Sequence, residues 1–187
     1  MKGTEATERF YGLVWPHLGA VLRTAKFLTR DDAEAEDLAQ ETMLKAFRFL
    51  DRFEDGTDAK AWLMSILRNT RIDRLRAAAP EQANVSLVEL NVEPAAVSDE
   101  AGSPANWERP EDVLNGFSDQ QVIDALKTLP DDIRWTLLLV DVQGMDHRDA
   151  AGVLDVPVGT VKSRASRGRA MLREKLLPVA KEMRLVE

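Results

Sequence analysis

A stretch rich in proline and in acidic side chains divides this 187-residue chain into two parts. Residues 80–117 contain four of the eight prolines and show no sustained apolar period. Between residues 81 and 119 nine acids stand against one arginine, a net charge of −8, whereas the whole chain carries −7 and the rest therefore +1. Prolines interrupt helices, and like charges along a segment repel one another. We therefore expect residues 80–117 to form an acidic, flexible linker.

Before and after this linker, apolar residues recur at intervals of three and four residues, which is the period of an amphipathic helix. One such stripe in the first part consists of Ala39, Met43, Ala46, Phe47 and Leu50. A stripe in the last part consists of Ile133, Leu137, Leu138 and Val140. The sequence predicts an all-α fold with two small helical domains, residues 1–79 and residues 118–187, joined by the linker.

The composition excludes several classes of protein. With no cysteine and only two histidines, His17 and His147, far apart in the chain, the sequence offers neither a disulfide nor a cysteine- and histidine-bound zinc site. No apolar run approaches the roughly 20 residues needed to cross a bilayer, and the polar residues 1–10 are unlike a signal peptide. We expect no metal, no cofactor, no catalytic residue, no membrane insertion and a cytoplasmic location.

The sharpest local pattern lies near the C-terminus, where Ala151, Asp155 and Val161 are separated by four and six residues. This spacing is typical of a helix-turn-helix: a small residue where two helices touch, a turn residue that tolerates a left-handed backbone, and an apolar residue in the second helix. Glycine usually occupies the turn position, but aspartate also enters the left-handed region more readily than most residues. Pro157 is favourable near the start of the second helix.

The second helix of this motif is predicted to carry a DNA-binding face. If Val161, Ala165 and Leu172 point inward, cations and short hydroxyl side chains fall on the outer faces, a combination that suits a major groove. The candidate residues are Thr160, Lys162, Ser163, Arg164, Ser166, Arg167 and Arg169. The alternative is a solvated basic face without a ligand. Gly168 either allows a close approach to DNA or has no such role.

A second basic helix is predicted between Lys60 and Arg76, and its arginines at intervals of three are expected to share a face. Basic residues beside an aromatic ring can follow a phosphate backbone and stack on an exposed base. The candidates are Lys60, Trp62, Arg68, Asn69, Arg71, Arg74 and Arg76. For Trp62 the alternative is a place in the hydrophobic core.

The helix before it carries the opposite charge. Its acidic residues are more numerous than N-terminal capping requires: Asp31, Asp32, Glu34, Glu36, Asp37 and Glu41. A cluster of this kind repels DNA, so we expect any binding function of the helix to involve a basic protein surface.

These segments together resemble a known family. Residues 35–41 (AEDLAQE), 61–63 (AWL), 66–69 (ILRN) and 73–76 (DRLR) are similar to region 2 of bacterial RNA polymerase sigma factors of the sigma-70 family, in its extracytoplasmic function (ECF) group. Leu129-Pro130, Gly144 and residues 156–164 (VPVGTVKSR) are similar to region 4 of the same group. The resemblance covers nearly all of the chain outside the linker.

The resemblance implies a dissociable promoter-specificity subunit of core RNA polymerase that is not itself an enzyme. Region 2 would bind the clamp helices of the largest subunit through Glu36, Asp37, Gln40 and Glu41. The first basic helix would then recognise and help to melt the minus-10 promoter element. Region 4 would place its second helix in the major groove of the minus-35 element and meet the flap of the second-largest subunit. An anti-sigma factor is implied as a further partner.

Two other classes of function are open on the residues alone. A stand-alone helix-turn-helix transcriptional regulator would share the C-terminal motif, but it would have no need of an acidic helix followed by a basic one tipped with an aromatic residue. A helical enzyme could bind a metal through the carboxylates of residues 31–41, although no partner cluster of ligands accompanies them.

Overall fold

The computed structural model describes residues 2–78 and 119–182 of the chain. The expected linker at residues 80–117 lies outside these described residues. Every regular element in the two described segments is a helix, which confirms the prediction of an all-α fold. The segment 2–78 is called the N-terminal part below, and the segment 119–182 the C-terminal part.

The N-terminal part consists of α-helices joined by short turns. The helices are α1 (Lys2–Leu13), α2 (Leu18–Leu28), α3 (Asp32–Arg48) and α4 (Ala59–Ala78), with 3-10 turns at Trp15–His17 and Leu50–Arg52. Asp31 caps α3, because its carboxylate accepts a hydrogen bond from the N–H of Glu34 at 2.8 Å. Caps of this kind satisfy an amide that the helix itself leaves without a partner.

The C-terminal part contains the helices of the predicted motif and two helices before it. They are α5 (Asp119–Lys127), α6 (Asp131–Leu137), α7 (His147–Leu154) and α8 (Val158–Glu182). Helix α6 continues directly into a π-helical turn at Leu138–Val142. A π turn takes in one more residue than an ordinary helical turn and therefore rotates the side chains that follow it.

Each part buries the apolar faces that its periodicity predicted. In the N-terminal part α3 packs between α2 and α4, with Leu38, Leu63 and Leu67 fully buried. In the C-terminal part α6 and α7 pack on α8 around Leu138 and Val161. Complete burial of a leucine or valine side chain contributes roughly 1.5–3 kcal/mol, so these contacts are the main source of stability.

The apolar stripe predicted for α3 needs one correction. Ala39, Met43 and Ala46 are buried as expected, but Phe47 is 45% exposed. Its ring lies at the edge of the core and meets Phe10 of α1 edge to face, with 5.3 Å between the ring centroids. The prediction was wrong for Phe47 because a stripe of three- and four-residue steps is wider than the face that α2 and α4 cover.

The two parts are packed against each other. Helix α4 lies against α7, and α2 lies against α5. Buried apolar residues from both parts form one continuous hydrophobic cluster. The amphipathic pattern of each helix shows that it has a face to bury, but it does not show which other helix covers that face.

Candidate nucleic-acid and protein-binding surfaces

Helix α7, the turn that follows it and α8 form a helix-turn-helix. Asp155 ends α7 in the left-handed conformation, with φ 55° and ψ 50°, as its place in the motif predicted. The N–H of Val156 donates to the carbonyl of Ala151 at 3.2 Å and closes the turn. Ala151 and Val161 are both buried where the two helices meet. The local sequence therefore sets the angle at which α8 leaves the turn.

The outer surface of α8 is polar and basic. Val161 and Ala165 are buried and Leu172 packs at the edge of the core, so the residues predicted to point inward do so. The exposed residues among the candidates are Lys162, Ser163, Ser166, Arg167 and Arg169, and the half-buried ones are Thr160 and Arg164. The exposed set combines cations that reach phosphates or guanine edges with hydroxyls short enough for close approach.

Two arginines of this set are paired with acids of the C-terminal part itself. Arg164 Nε lies 3.1 Å from the carboxylate of Asp132 at the start of α6. Arg169 donates to both carboxylate oxygens of Asp141, at 2.7 and 3.1 Å. The hydrogen bond to Asp141 outweighs partial burial and raises the pKa of Arg169. A phosphate would therefore have to compete with a carboxylate for either arginine.

Gly168 faces the interior of the C-terminal part. A Cβ atom built at this position would lie 2.7 Å from Cγ2 of Ile133 and 3.0 Å from Cγ of Leu137. The suggestion that Gly168 lets DNA approach the backbone is therefore wrong. The glycine instead lets α8 pack closely on α6.

The first turn of α4 holds Trp62 at the surface of the core. The carboxylate of Asp58 accepts hydrogen bonds from the N–H groups of Lys60 and Ala61, at 2.7 and 3.1 Å. The indole of Trp62 packs on Phe53 with 5.1 Å between ring centroids, and the residue is half-buried. Part of the ring supports the core and part remains accessible, so this position is compatible with both roles considered for Trp62.

Arg74 is directed toward α3 and not toward the surface expected for DNA. Its Nε donates to Glu41 at 2.7 Å, and its Nη2 donates to the carbonyl of Asp37 at 2.9 Å. Arginines spaced by three residues drift by about 60° around a helix at each step. The predicted common face of Arg68, Arg71 and Arg74 is therefore not formed.

Arg71 and Lys60 are directed toward the C-terminal part. Arg71 donates to both carboxylate oxygens of Asp131 at the start of α6. The ammonium group of Lys60 donates to the carbonyl of Gln143, which follows the π turn. Asn69 and Arg76 are exposed.

Arg68 lies in the same boundary between the two parts. Burial lowers its pKa, the charge of Asp155 partly offsets this effect, and the charge of Arg164 adds to it. Both charges belong to the C-terminal part. Three of the candidate minus-10 residues of α4, Lys60, Arg68 and Arg71, are thus close to charged or polar groups of the C-terminal part.

The solvent side of α3 carries the acidic cluster. Glu36, Asp37 and Gln40 are exposed, whereas Glu41 is half-buried. Burial alone would raise the pKa of Glu41, but hydrogen bonds and charges from Arg74 and Lys45 outweigh it and lower the pKa. Glu41 is therefore held in the contact between α3 and α4. Glu36, Asp37 and Gln40 form the freely accessible part of the predicted protein-binding surface.

Sequence reasoning missed the apolar continuation of this surface. Leu44 is 59% exposed, and Phe47 beyond it meets the ring of Phe10. Phe10 in turn contacts the rings of Tyr11 and Trp15. The spacing of four from Gln40 to Leu44 could have revealed that Leu44 shares the exposed face.

Within residues 2–78 and 119–182, no group of three or more histidine, aspartate and glutamate side chains is arranged to hold a metal ion. No helix in the same residues is both long and apolar enough to cross a membrane.

Comparison with known proteins decides between the functional classes. Residues 13–81 match the family model for sigma-70 region 2, and residues 119–172 match that for sigma-70 region 4. The chain is 31% identical over 149 residues to an ECF RNA polymerase sigma-E factor of Escherichia coli K12, covering 78% of this chain and 75% of the relative. The chain belongs to the ECF family of RNA polymerase sigma factors. A region 2 match in the N-terminal part argues against a stand-alone regulator.

Further relatives of this ECF sigma factor agree. An ECF RNA polymerase sigma-E factor of Haemophilus influenzae is 29% identical over 157 residues, covering 82% of this chain and 79% of the relative. The sigma factor RpoE from Bartonella quintana, solved in complex with the anti-sigma factor NepR, is 30% identical with a TM-score of 0.66, covering 89% and 96% of the two chains. CnrH, solved with the cytosolic domain of CnrY, shares the fold at 23% identity and a TM-score of 0.62, covering 91% and 94%.

Proposed function

We propose that this ECF sigma factor binds core RNA polymerase and directs promoter recognition, promoter melting and transcription initiation. The observation that carries the proposal is the order of the two matches, region 2 at residues 13–81 and region 4 at residues 119–172, with one basic helix in each. We assign region 2 to residues 1–79 and region 4 to residues 118–187, with an acidic linker at residues 80–117.

Region 4 binds the minus-35 element through α8 in this proposal. The helix-turn-helix exposes Lys162, Ser163, Ser166 and Arg167 on one side of α8. A helix with this surface fits a major groove, where arginine reaches guanine and hydroxyls approach bases or phosphates. Thr160, Arg164 and Arg169 flank the same surface, and the last two bind DNA only by exchanging their carboxylate partners for phosphate.

Region 2 binds the minus-10 element through α4 and the loop before it. Asn69 and Arg76 are exposed, and the accessible part of Trp62 can stack on an unpaired base. Lys60, Arg68 and Arg71 join this surface when their contacts with the C-terminal part are broken. Arg74 supports it by holding α4 on α3 through Glu41.

The acidic side of α3 binds the clamp helices of the largest polymerase subunit. Glu36, Asp37 and Gln40 are exposed and complement a basic partner, and Glu41 stabilises the helix from within. Region 4 meets the flap of the second-largest subunit. Such a subunit supplies specificity and not catalysis, so we propose no enzymatic activity for the chain. We also propose a cytoplasmic location, because the chain acts by binding core RNA polymerase.

An anti-sigma factor is the further partner that we propose. The sigma factor RpoE of Bartonella quintana, whose structure is similar, was solved in complex with the anti-sigma factor NepR. The ECF family membership of this chain supports regulation by a protein of the same kind.

Run-off transcription tests the proposal directly. Core RNA polymerase is incubated with a genomic template library in the presence and absence of the chain, and promoter-dependent transcripts are expected only with it. Charge reversal of Glu36→Lys with Asp37→Lys should abolish co-purification with core, whereas Asp124→Lys, an exposed acid on α5, should not. The absence of any chain-dependent transcript would refute the proposal.

A further inference from the structure

The side chain of Gln143 crosses the boundary between the two parts. It is only 5% exposed. Its Nε2 donates to the hydroxyl of Thr24 at 2.9 Å and approaches the carbonyl of Ala20 at 3.4 Å, both on α2. The Thr24 hydroxyl in turn donates to the same carbonyl at 2.9 Å. An amide of the C-terminal part is thus buried in a hydrogen-bonded site of the N-terminal part, and we call these bonds the Gln143 contact.

The π turn directs Gln143 to this site. The N–H of Gln143 bonds to the carbonyl of Leu138, five residues earlier, at 2.9 Å. Gly144 follows in the left-handed region, with φ 67°, and ends the helical course. The wider turn and the reversal after it rotate Gln143 out of the α6 register toward α2. The backbone around the contact is therefore shaped for it.

Charged groups surround the Gln143 contact. Lys60 donates to the backbone carbonyl of Gln143, and Arg71 forms its two hydrogen bonds with Asp131. Nζ of Lys127 on α5 lies 3.3 Å from the carbonyl of Arg30, which follows α2. These bonds join α2 and α4 to the C-terminal part at several points.

The same bonds occupy groups that we assign to promoter DNA. A phosphate approaching Arg71 would have to displace Asp131, and Lys60 would have to leave the carbonyl of Gln143. Arg68 is half-buried in the same boundary. Because these side chains cannot serve a carboxylate, a carbonyl and DNA at once, the packed arrangement and a bound minus-10 element exclude each other.

The contact is also suited to open. Oε1 of Gln143 has no hydrogen-bond partner among the described residues. A buried amide oxygen without a partner is unfavourable, and water satisfies it when the two parts separate. Hydrogen bonds therefore hold the two parts together, but Oε1 of Gln143 gains a hydrogen-bond partner when the parts separate.

We propose that the free chain rests in a closed state, in which the Gln143 contact holds the C-terminal part on α2 and α4, and that minus-10 DNA is bound only after the parts separate. The consequence for DNA rests on the proposed function, whereas the closure itself does not. The closed state is made by this chain alone and needs no anti-sigma factor.

Cross-linking measures closure without any assay of function. The chain contains no cysteine, so Arg30→Cys with Lys127→Cys introduces a single reactive pair across the boundary. A short, reducible thiol cross-linker should join the pair within the free chain. Adding Gln143→Glu replaces the donating Nε2 with an acceptor that repels the Ala20 carbonyl, and the rate should fall about tenfold. Gln120→Glu, an exposed position on α5, is the control and should leave the rate unchanged.

Transcription then tests the consequence of closure. The cross-linked pair variant should give no run-off transcript with core polymerase, and reductant should restore it to the level of the uncross-linked variant. Circular dichroism establishes that Gln143→Glu remains helical. Equal cross-linking rates with and without Gln143→Glu would overturn the contact, and full transcription by the locked chain would overturn its inhibitory role. Absence of transcripts from the uncross-linked chain as well would instead refute the proposed function.

Discussion

Gly168 is a residue at which α8 packs closely on α6. The space that a methyl group would need there is occupied by Ile133 and Leu137. Replacing glycine by alanine inside a helix ordinarily contributes up to about 1 kcal/mol. At Gly168 this gain is opposed by overpacking, which costs about 1–3 kcal/mol in a close-packed core.

We expect Gly168→Ala to lower the free energy of unfolding by about 1 kcal/mol, because overpacking exceeds the gain in helix propensity. Urea denaturation followed by circular dichroism measures the change. Gly152→Ala is the matched control, since this helical glycine is exposed and has no atom within 4 Å of a Cβ, and it should stabilise the chain. A Gly168→Ala variant as stable as the parent would contradict the close packing of α8 on α6.

Glu41 couples the stability of the N-terminal part to pH. Its pKa in the folded chain lies below the ordinary value of 4.5. A carboxyl whose pKa is lowered on folding contributes its full stabilisation above the unfolded pKa and loses it as pH falls through the folded pKa. Because 37% of the side chain is exposed, solvent screening limits the contribution to less than about 1 kcal/mol.

We expect Glu41→Gln to flatten the loss of stability below about pH 4.5. Urea denaturation at a series of pH values from neutral to acidic measures how steeply the free energy of unfolding falls as the pH is lowered. Arg74→Gln should reduce the same loss of stability at acidic pH, because it removes the first hydrogen-bond partner of Glu41. The double variant should differ little from either single variant. If Glu41→Gln loses stability at acidic pH as steeply as the parent chain, the ion pair between Glu41 and Arg74 does not contribute to stability.

At the scale of elements, α8 combines a structural and a binding role. Its inward residues hold it on α6 and α7, and its outward cations differ in their partners. Arg164 and Arg169 are paired with Asp132 and Asp141, whereas Arg167 is exposed and is not paired with an acid among the described residues. The pairing ranks the cations of α8 by the ease with which they can bind DNA.

We expect Arg167→Ala to weaken binding of the holoenzyme to its minus-35 element by about 1–3 kcal/mol if Arg167 contacts a base. Affinities for the promoter and for a point-substituted minus-35 element, measured at fixed salt concentration, separate the two modes of contact. An equal loss on both sequences would assign Arg167 to a phosphate. Lys175→Ala, an exposed residue two turns further along α8, should have a smaller effect, and no effect from Arg167→Ala would remove Arg167 from the interface.

At the scale of the whole molecule, helices of both parts contribute to one large hydrophobic cluster. Residues of α4 and α7, and of α2 and α5, cover apolar surface that each part alone would expose to water. Packing of this kind makes the stability of each part depend on the other. Separation of the two parts at this one interface therefore changes how accessible the basic helices α4 and α8 are.

We expect the free chain to unfold in one cooperative transition, because separating the parts exposes part of their common core. Differential scanning calorimetry should give a calorimetric enthalpy equal to the van't Hoff enthalpy. In Gln143→Glu the transition should broaden or divide, because the parts then unfold with less coupling. Two resolved transitions in the parent chain would contradict a shared core.

The features that depend on near neighbours could be predicted from the sequence. Asp31 caps α3 by bonding to Glu34, three residues away, and Asp155 takes the left-handed turn position that the spacing of the motif assigns to it. Helical periodicity likewise predicted the inward residues Val161 and Ala165. These interactions join residues that are close together in the chain. The all-α fold and the helix-turn-helix could therefore be predicted from the sequence.

Contacts between distant residues were decided only by the tertiary structure. Gln143 and Thr24 are 119 positions apart, and nothing in the local pattern of either residue indicates the other. The same holds for Arg71 with Asp131 and for Gly168 with α6. The sequence by itself determined which helices form and which faces are apolar or charged. The tertiary structure decided which charged side chains are already paired, because pairing depends on how those faces meet in space.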